Sequence, residues 1–73
     1  MARQFSGQRL REARTAAGLS KEALALRVGR SFYSIHEYEH GRVQPSIAVL
    51  VALSDALGRP LDDLLTEEAR DAA

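Results

Sequence analysis

The sequence predicts an all-α fold in which five short helices form one compact domain. Serines that can cap helix N-termini alternate with glycines that can end helices, and the segments between them repeat apolar residues at spacings of three and four. No segment shows the period-two alternation of a strand, so we expect no β-structure. The 73 residues, 45% of them apolar, suffice for one small core.

The order of caps and closing residues divides the chain. The predicted helices are Ser6 to about Ala17, Ser20 to Gly29, Ser31 to His40, Ser46 to Gly58, and Leu61 to about Leu65. Only Arg30 separates the second helix from the cap of the third, so these two helices must cross steeply, as in a helix-turn-helix. We expect residues 1–5 to be a lead-in, residues 6–65 to form the domain, and residues 66–73 to be a polar tail.

The fourth helix is the most apolar run, and we expect it to be the central helix of the core. Its predicted inner face comprises Ile47, Leu50, Leu53, Ala56 and Leu57, to which Val49 and Val51 add.

The charges sum to zero but are unevenly distributed. Residues 1–42 hold eight basic and four acidic side chains, a net of +4, whereas residues 43–73 hold two basic and six acidic ones, a net of −4. This asymmetry suggests a basic face for an anionic partner. There is no cysteine, no signal-peptide pattern and no apolar run of membrane length, so we expect a cytoplasmic, nucleoid-associated protein with no membrane partner.

The third predicted helix has two different faces. Ile35 and Tyr38 are three residues apart and should point to the core. Large polar side chains form the other face, namely Tyr33, His36, Glu37 and His40. Phe32 fits either a place in the core or a place on the exposed face. A short capped helix of this kind is suited to presenting its outer face to a partner.

Several motifs stand in register along the chain. They are the run R-L-R-E-A-R-T-A-A-G-L-S, then Glu22, Leu24-Ala25, Val28-Gly29, Ser31, Ser34-Ile35, Glu39, Gly41-Arg42, Pro45-Ser46, Leu50, and A-L-G followed by L-D-D-L-L. Over residues 6–65 this pattern resembles the lambda-repressor-like helix-turn-helix family, which includes Cro, the phage repressors and the xenobiotic-response-element regulators. The resemblance implies that the second and third helices bind DNA, and that Arg14 and Glu39 form a partly buried ion pair.

The residues and the resemblance together predict a sequence-specific transcriptional regulator of repressor type that binds double-stranded DNA. The helix Ser31–His40 would read the major groove. The expected base contacts are Phe32, Tyr33, His36 and Glu37, with Glu37 as the sharpest specificity determinant. The expected phosphate contacts are Lys21, Ser31, His40, Arg42 and Gln44.

We also expect a homodimer, because one short recognition helix reads too few base pairs to select a site in a genome. The candidate interface consists of Leu61, Leu64 and Leu65 together with outward residues of the fourth helix.

Two other functions fit parts of the sequence. His36 to His40 match H-E-x-x-H, a zinc metallopeptidase pattern. However, Gly41 ends the helix at once and no third histidine exists, so we expect neither an enzyme nor a bound metal or other cofactor. The zero net charge and the aromatic and acidic helix face also suit a protein-interaction module on the same fold, such as a co-regulator or an antitoxin-like partner.

Overall fold

Four α-helices account for most of the computed structural model, which describes residues 3–67. The elements are β1 (Arg3–Phe5), α1 (Gly7–Ala16), α2 (Lys21–Val28), α3 (Phe32–Glu39), α4 (Ile47–Leu57), a 3₁₀ turn (Leu61–Leu64) and β2 (Leu65–Glu67). The first two residues and the predicted tail beyond residue 67 lie outside the described part. Within residues 3–67 no helix has the length and apolarity needed to cross a bilayer.

The two strands show that the prediction of an all-α, five-helix domain is wrong in detail. The segment after Pro60 makes only one 3₁₀ turn, and Leu65 is then extended. β2 pairs antiparallel with β1, so that Phe5 lies opposite Leu65. Strands of three residues are too short to show an alternating pattern, and their pairing partners are distant in sequence. The pairing therefore becomes visible only when the chain is folded.

Serine hydroxyls cap the four helices where the sequence predicts. Each accepts a hydrogen bond from the backbone N–H three residues later, as seen for Ser6 (3.2 Å), Ser20 (3.0 Å), Ser31 (3.1 Å) and Ser46 (3.3 Å). At the end of α2, Gly29 has a φ of 70°, and Arg30 N–H donates to the carbonyl of Ala25. This left-handed residue reverses the chain so that the cap of α3 follows immediately.

The core lies where the inner faces of all four helices meet the 3₁₀ turn. Five of its side chains are fully buried, namely Leu10, Leu24, Ile35, Leu53 and Leu64. α4 contributes Leu53 and other buried residues, but Ile47 and Val51 are 74% and 47% exposed. The prediction that these two belong to the core is wrong. A helix that is apolar almost all round offers no period from which to choose its buried face, so packing against its neighbours makes the choice.

A buried ion pair joins α1 to the last turn of α3. Arg14 Nε lies 2.5 Å from Glu39 Oε2, and Arg14 Nη2 donates to Glu39 Oε1 over 3.1 Å. Arg14 Nη1 donates to the carbonyl of Leu19, just beyond the end of α1. The Glu39 side chain is only 1% exposed. The hydrogen bond to Glu39 raises the pKa of Arg14, so the guanidinium remains charged.

Gly7 allows a second close approach between the same two helices. A Cβ at this position would lie 2.5 Å from the carbonyl oxygen of Glu39, and closer still to that of Tyr38. The backbone at the start of α1 therefore packs directly against the backbone at the end of α3. No side chain other than hydrogen fits between them.

We expect Arg14→Met and Glu39→Gln each to lower the free energy of unfolding by about 2–4 kcal/mol, because each leaves the other charge buried without its partner. The melting temperature should fall by roughly 10 °C or more in a domain of this size. Arg59→Met is the matched control, because it removes an exposed partner of Asp63. Shifts of one or two degrees in both core variants would contradict a structural role for the pair.

We expect Gly7→Ala to destabilise the protein by about 1–3 kcal/mol, because the added methyl group overpacks the contact between α1 and α3. Alanine has the higher helix propensity, so propensity alone predicts the opposite sign. Urea unfolding of Gly7→Ala is compared with that of Gln8→Ala, which makes the same alanine substitution at the exposed neighbouring position. The comparison separates overpacking from helix propensity. Equal or greater stability of Gly7→Ala would refute the close approach.

Candidate nucleic-acid interface

One face of α3 is held against the rest of the protein and another is open. Ile35 is fully buried and Tyr38 is buried, as the sequence predicts. On the open side Phe32 is 44% exposed and Tyr33 is 67% exposed. Phe32 therefore lies outside the core, which decides between the two places that the sequence left open for it. Large exposed aromatic side chains on a short, rigid helix are available to a partner.

Three rings form a ladder along the open face, one helical turn apart. The Phe32 and His36 rings stack with centroids 6.0 Å apart, and the His36 and His40 centroids are 4.2 Å apart. Lys21, at the start of α2, places its Nζ 5.7 Å from the centre of the Phe32 ring and 3.1 Å from His36 Nδ1. We call Phe32, His36, His40 and Lys21 the ring ladder. α2 thus supplies a cation to the face that α3 presents.

Both histidines of the ladder have defined surroundings. His40 is exposed, and its Nδ1 lies 2.9 Å from the backbone carbonyl oxygen of His36. The pKa of His36 is lowered, first by burial and then by the nearby His40 and Lys21. The His36 imidazole is therefore biased towards its neutral form.

Glu37 does not lie on the open face, and the prediction that it does is wrong. Its residue is only 8% exposed, and Arg42 Nη1 donates to its Oε2 over 2.8 Å. A buried carboxylate that already binds a guanidinium is poorly placed to read the edge of a base. Arg42 itself remains largely exposed.

The turn at Gly41 produces this pairing. Gly41 has a φ of 73°, and Arg42 N–H donates to the carbonyl of Glu37 over 3.0 Å. In such a Schellman turn the second residue after the capping residue, here Arg42 after His40, folds back over the last helical turn. A glycine that ends a helix in the left-handed conformation, as the sequence predicts for Gly41, already implies a contact between Glu37 and Arg42. This signal links residues five apart, whereas the two faces of a helix are identified from spacings of three and four.

The remaining predicted contacts lie near the two ends of α3. Ser31, at its start, is exposed, but its hydroxyl already accepts from the Ser34 N–H and donates to the Ser34 Oγ over 3.2 Å. Gln44 is exposed in the loop that follows Gly41. The structure thus groups the ring ladder together, places Arg42 at the end of the same helix, and leaves Tyr33 exposed next to Phe32.

The two histidines of the H-E-x-x-H segment are in ring contact, with centroids 4.2 Å apart. The Glu37 carboxylate of the segment is bound by Arg42. Among residues 3–67, no group of three or more histidine, cysteine, aspartate or glutamate side chains is placed to hold a metal ion.

A second exposed surface lies on α4, whose outward residues the sequence places in the candidate interface, although the residues that form this surface were predicted to face the core. Ile47 and Val51 are one helical turn apart and both are exposed. Of the leucines proposed for an interface, Leu64 is fully buried, while Leu61 and Leu65 are half-buried against the core. The prediction that Leu64 is available to a partner is therefore wrong. Ile47 and Val51 give α4 an apolar surface that is available to a partner.

Comparisons with known proteins agree with this arrangement of α2 and α3. A family model described as a helix-turn-helix domain matches residues 7–67. An uncharacterized transcriptional regulator in the ATPase CF(0) region of Rhodospirillum rubrum is 42% identical over 64 residues, covering 88% of this chain and 59% of that protein. This chain spans less than two thirds of the length of the curated relatives that it matches.

Solved structures share both the fold and part of the sequence. The restriction-modification controller protein C.AhdI from Aeromonas hydrophila is 40% identical with a TM-score of 0.76, covering 80% of this chain and 88% of that one. The P22 c2 repressor, solved in complex with the synthetic operator 9T, is 34% identical with a TM-score of 0.77, covering 84% and 92%. The chain therefore belongs to the helix-turn-helix domain family, whose members among these relatives are transcription regulators.

Proposed function

We propose that this chain is the DNA-binding unit of a repressor-type transcription regulator, and that α3 enters the major groove of double-stranded DNA. The observation that carries the proposal is the ring ladder, which lies on the open face of the second helix of a helix-turn-helix, with Arg42 at its end. The similarity to a repressor solved on its operator supports the same placement of α3.

The exposed side chains divide into two kinds of contact. Phe32, Tyr33 and His36 are candidates for base contacts, because aromatic rings can meet thymine methyl groups and an imidazole can hydrogen-bond to a base edge. The candidates for phosphate contacts are Lys21, Ser31, His40, Arg42 and Gln44. These contacts would fix the register of α3 on the duplex.

Glu37 acts in this proposal through Arg42. A guanidinium has five N–H groups, and the one that binds Glu37 leaves the others for a phosphate. The carboxylate restricts the long side chain to one arrangement before DNA arrives, which lowers the entropy lost on binding. An acidic residue on the recognition helix is therefore compatible with an anionic partner.

We further propose that two copies bind one symmetric site. A single short helix contacts too few base pairs for selection in a genome. Ile47 and Val51 provide an exposed apolar strip on α4, and a two-fold axis would place the strip of one copy against that of the other.

Binding to random duplex DNA should weaken steeply with salt, because phosphate contacts release counterions. Arg42→Gln should lower the slope of log affinity against log salt by about 1 and weaken binding about tenfold on every sequence. Arg59→Gln, at a half-buried ion pair outside the α2–α3 unit, is the control and should change neither quantity. A salt-independent affinity would refute the proposed function.

The same titration tests the role of Glu37. Glu37→Gln should change affinity by one common factor on all duplexes, because Glu37 acts through Arg42, which contacts a phosphate and not a base. In the Arg42→Gln background the substitution should have no such effect. A change confined to one base pair would instead show that Glu37 reads that base.

We expect duplexes selected from a random pool to contain inverted half-sites about 10 base pairs apart, centre to centre. The double variant Ile47→Gln/Val51→Gln should shift sedimentation on such a site from two copies to one. Leu26→Gln, which changes an exposed leucine on α2, is the matched control and should leave two copies bound. A single copy of the unaltered protein on a non-symmetric site would rule out the dimer.

A further inference from the structure

His36 occupies the middle of the ring ladder and is held from two helices. Phe32 and His40 flank its ring along α3, and Lys21 of α2 reaches its Nδ1 over 3.1 Å. The ring is half-buried. These contacts restrict how the imidazole can turn. The protein therefore determines whether its other nitrogen, Nε2, donates or accepts a hydrogen bond.

The contact with Lys21 determines which nitrogen carries the proton. An ammonium group has three N–H donors and no lone pair, so the atom that it contacts must accept. His36 Nδ1 is therefore the unprotonated nitrogen. A neutral imidazole has one N–H, which in His36 must then be on Nε2. His36 thus offers a hydrogen-bond donor to a partner.

His40 has the opposite arrangement. Its Nδ1 lies 2.9 Å from the carbonyl oxygen of His36, and a carbonyl oxygen can only accept. His40 Nδ1 therefore carries a proton, and in the neutral form of the ring Nε2 is an acceptor. In their neutral forms, the two imidazoles in ring contact on this helix present opposite hydrogen-bonding groups at Nε2.

Burial and the charges around His36 favour the neutral ring that this assignment requires. Burial lowers its pKa most, followed by His40 and Lys21, and Arg42 acts in the same direction. Glu37 opposes them, but it contributes less than burial, His40 and Lys21. Its carboxylate is also bound to Arg42.

We propose that His36 is a specificity-determining residue that donates its Nε2–H to guanine in the major groove, and that Lys21 is the positioning residue that holds His36 in this tautomer. The proposal rests on the proposed entry of α3 into the major groove. Guanine presents two neighbouring acceptors there, N7 and O6, whereas adenine sets a donor beside its N7 and cytosine presents a donor. A donor with an ammonium group beside it therefore favours guanine most and cytosine least.

The tautomer can be measured in the free protein, without DNA. Long-range ¹H–¹⁵N NMR spectra of the whole chain at neutral pH should show His36 protonated on Nε2 and His40 on Nδ1. Lys21→Met should produce a mixture of His36 tautomers and raise the pKa of His36, and Lys21→Arg should restore the Nε2–H form. Arg27→Met, which removes an exposed cation of α2, should change neither. An Nδ1–H form of His36 in the unaltered protein, or no effect of Lys21→Met, would overturn the proposal.

The base preference is measured by an affinity scan across a selected duplex, one base pair at a time. The unaltered protein should require guanine at one position of each half-site, with a loss of about tenfold on replacement by cytosine. 7-Deazaguanine, which lacks the N7 acceptor, should also weaken binding.

His36→Ala should remove the preference for guanine at that position alone, and His36→Gln, whose amide can donate, should keep part of it. Lys21→Met should weaken binding generally and also reduce this preference, whereas Arg27→Met should leave it intact.

The outcomes distinguish a failure of the guanine contact from a failure of DNA binding itself. An unchanged scan for His36→Ala, or a preference for cytosine, would overturn this inference while DNA binding persists. Failure of the unaltered protein to bind any duplex would overturn the proposed function, and the guanine contact with it.

Discussion

The bond between Arg14 and Glu39 is the contact on which the presented surface depends. It is buried, it uses two hydrogen bonds between the charged groups, and it joins α1 to the last turn of α3. A third bond from Arg14 reaches the carbonyl of Leu19, in the turn between α1 and α2. One guanidinium therefore ties together three parts of the frame. Because a buried charge without its partner is costly, α3 has little freedom to shift relative to α1.

Direct backbone packing reinforces this constraint. Gly7 brings the start of α1 against the carbonyl groups of Tyr38 and Glu39, a distance that no larger residue allows. The end of α3 is thus fixed by a charge pair and by a steric limit at almost the same point. A helix of eight residues held in this way can present its side chains in a defined geometry, which base recognition requires.

The open face of α3 shows how hydrogen bonds to fixed partners set the character of a surface. A donor from Lys21 makes His36 Nδ1 an acceptor, and a backbone carbonyl makes His40 Nδ1 a donor. The turn at Gly41 returns Arg42 to Glu37, so Glu37, like Glu39, is paired with an arginine within the protein. The same residue types with other partners would present a different pattern of charge and hydrogen bonding.

The sequence by itself determined the features that are local in the chain. The four serine caps and the glycine at the end of α2 could be located because capping groups act on backbone atoms only a few residues away. The buried side of α3 followed from the spacing of Ile35 and Tyr38. The family resemblance then indicated the arrangement of α2 and α3.

Tertiary structure decided the rest, because it depends on partners that no local period specifies. β1 and β2 are short and pair across almost the whole described chain. α4 is apolar nearly all round, so only its neighbours determine that Leu53 is buried and Ile47 is exposed. Glu37 has the spacing of an exposed residue, yet the reversal at Gly41 covers it with Arg42. Lys21 and His36 come from different helices, so the contact that selects one tautomer of His36 forms only in the folded protein.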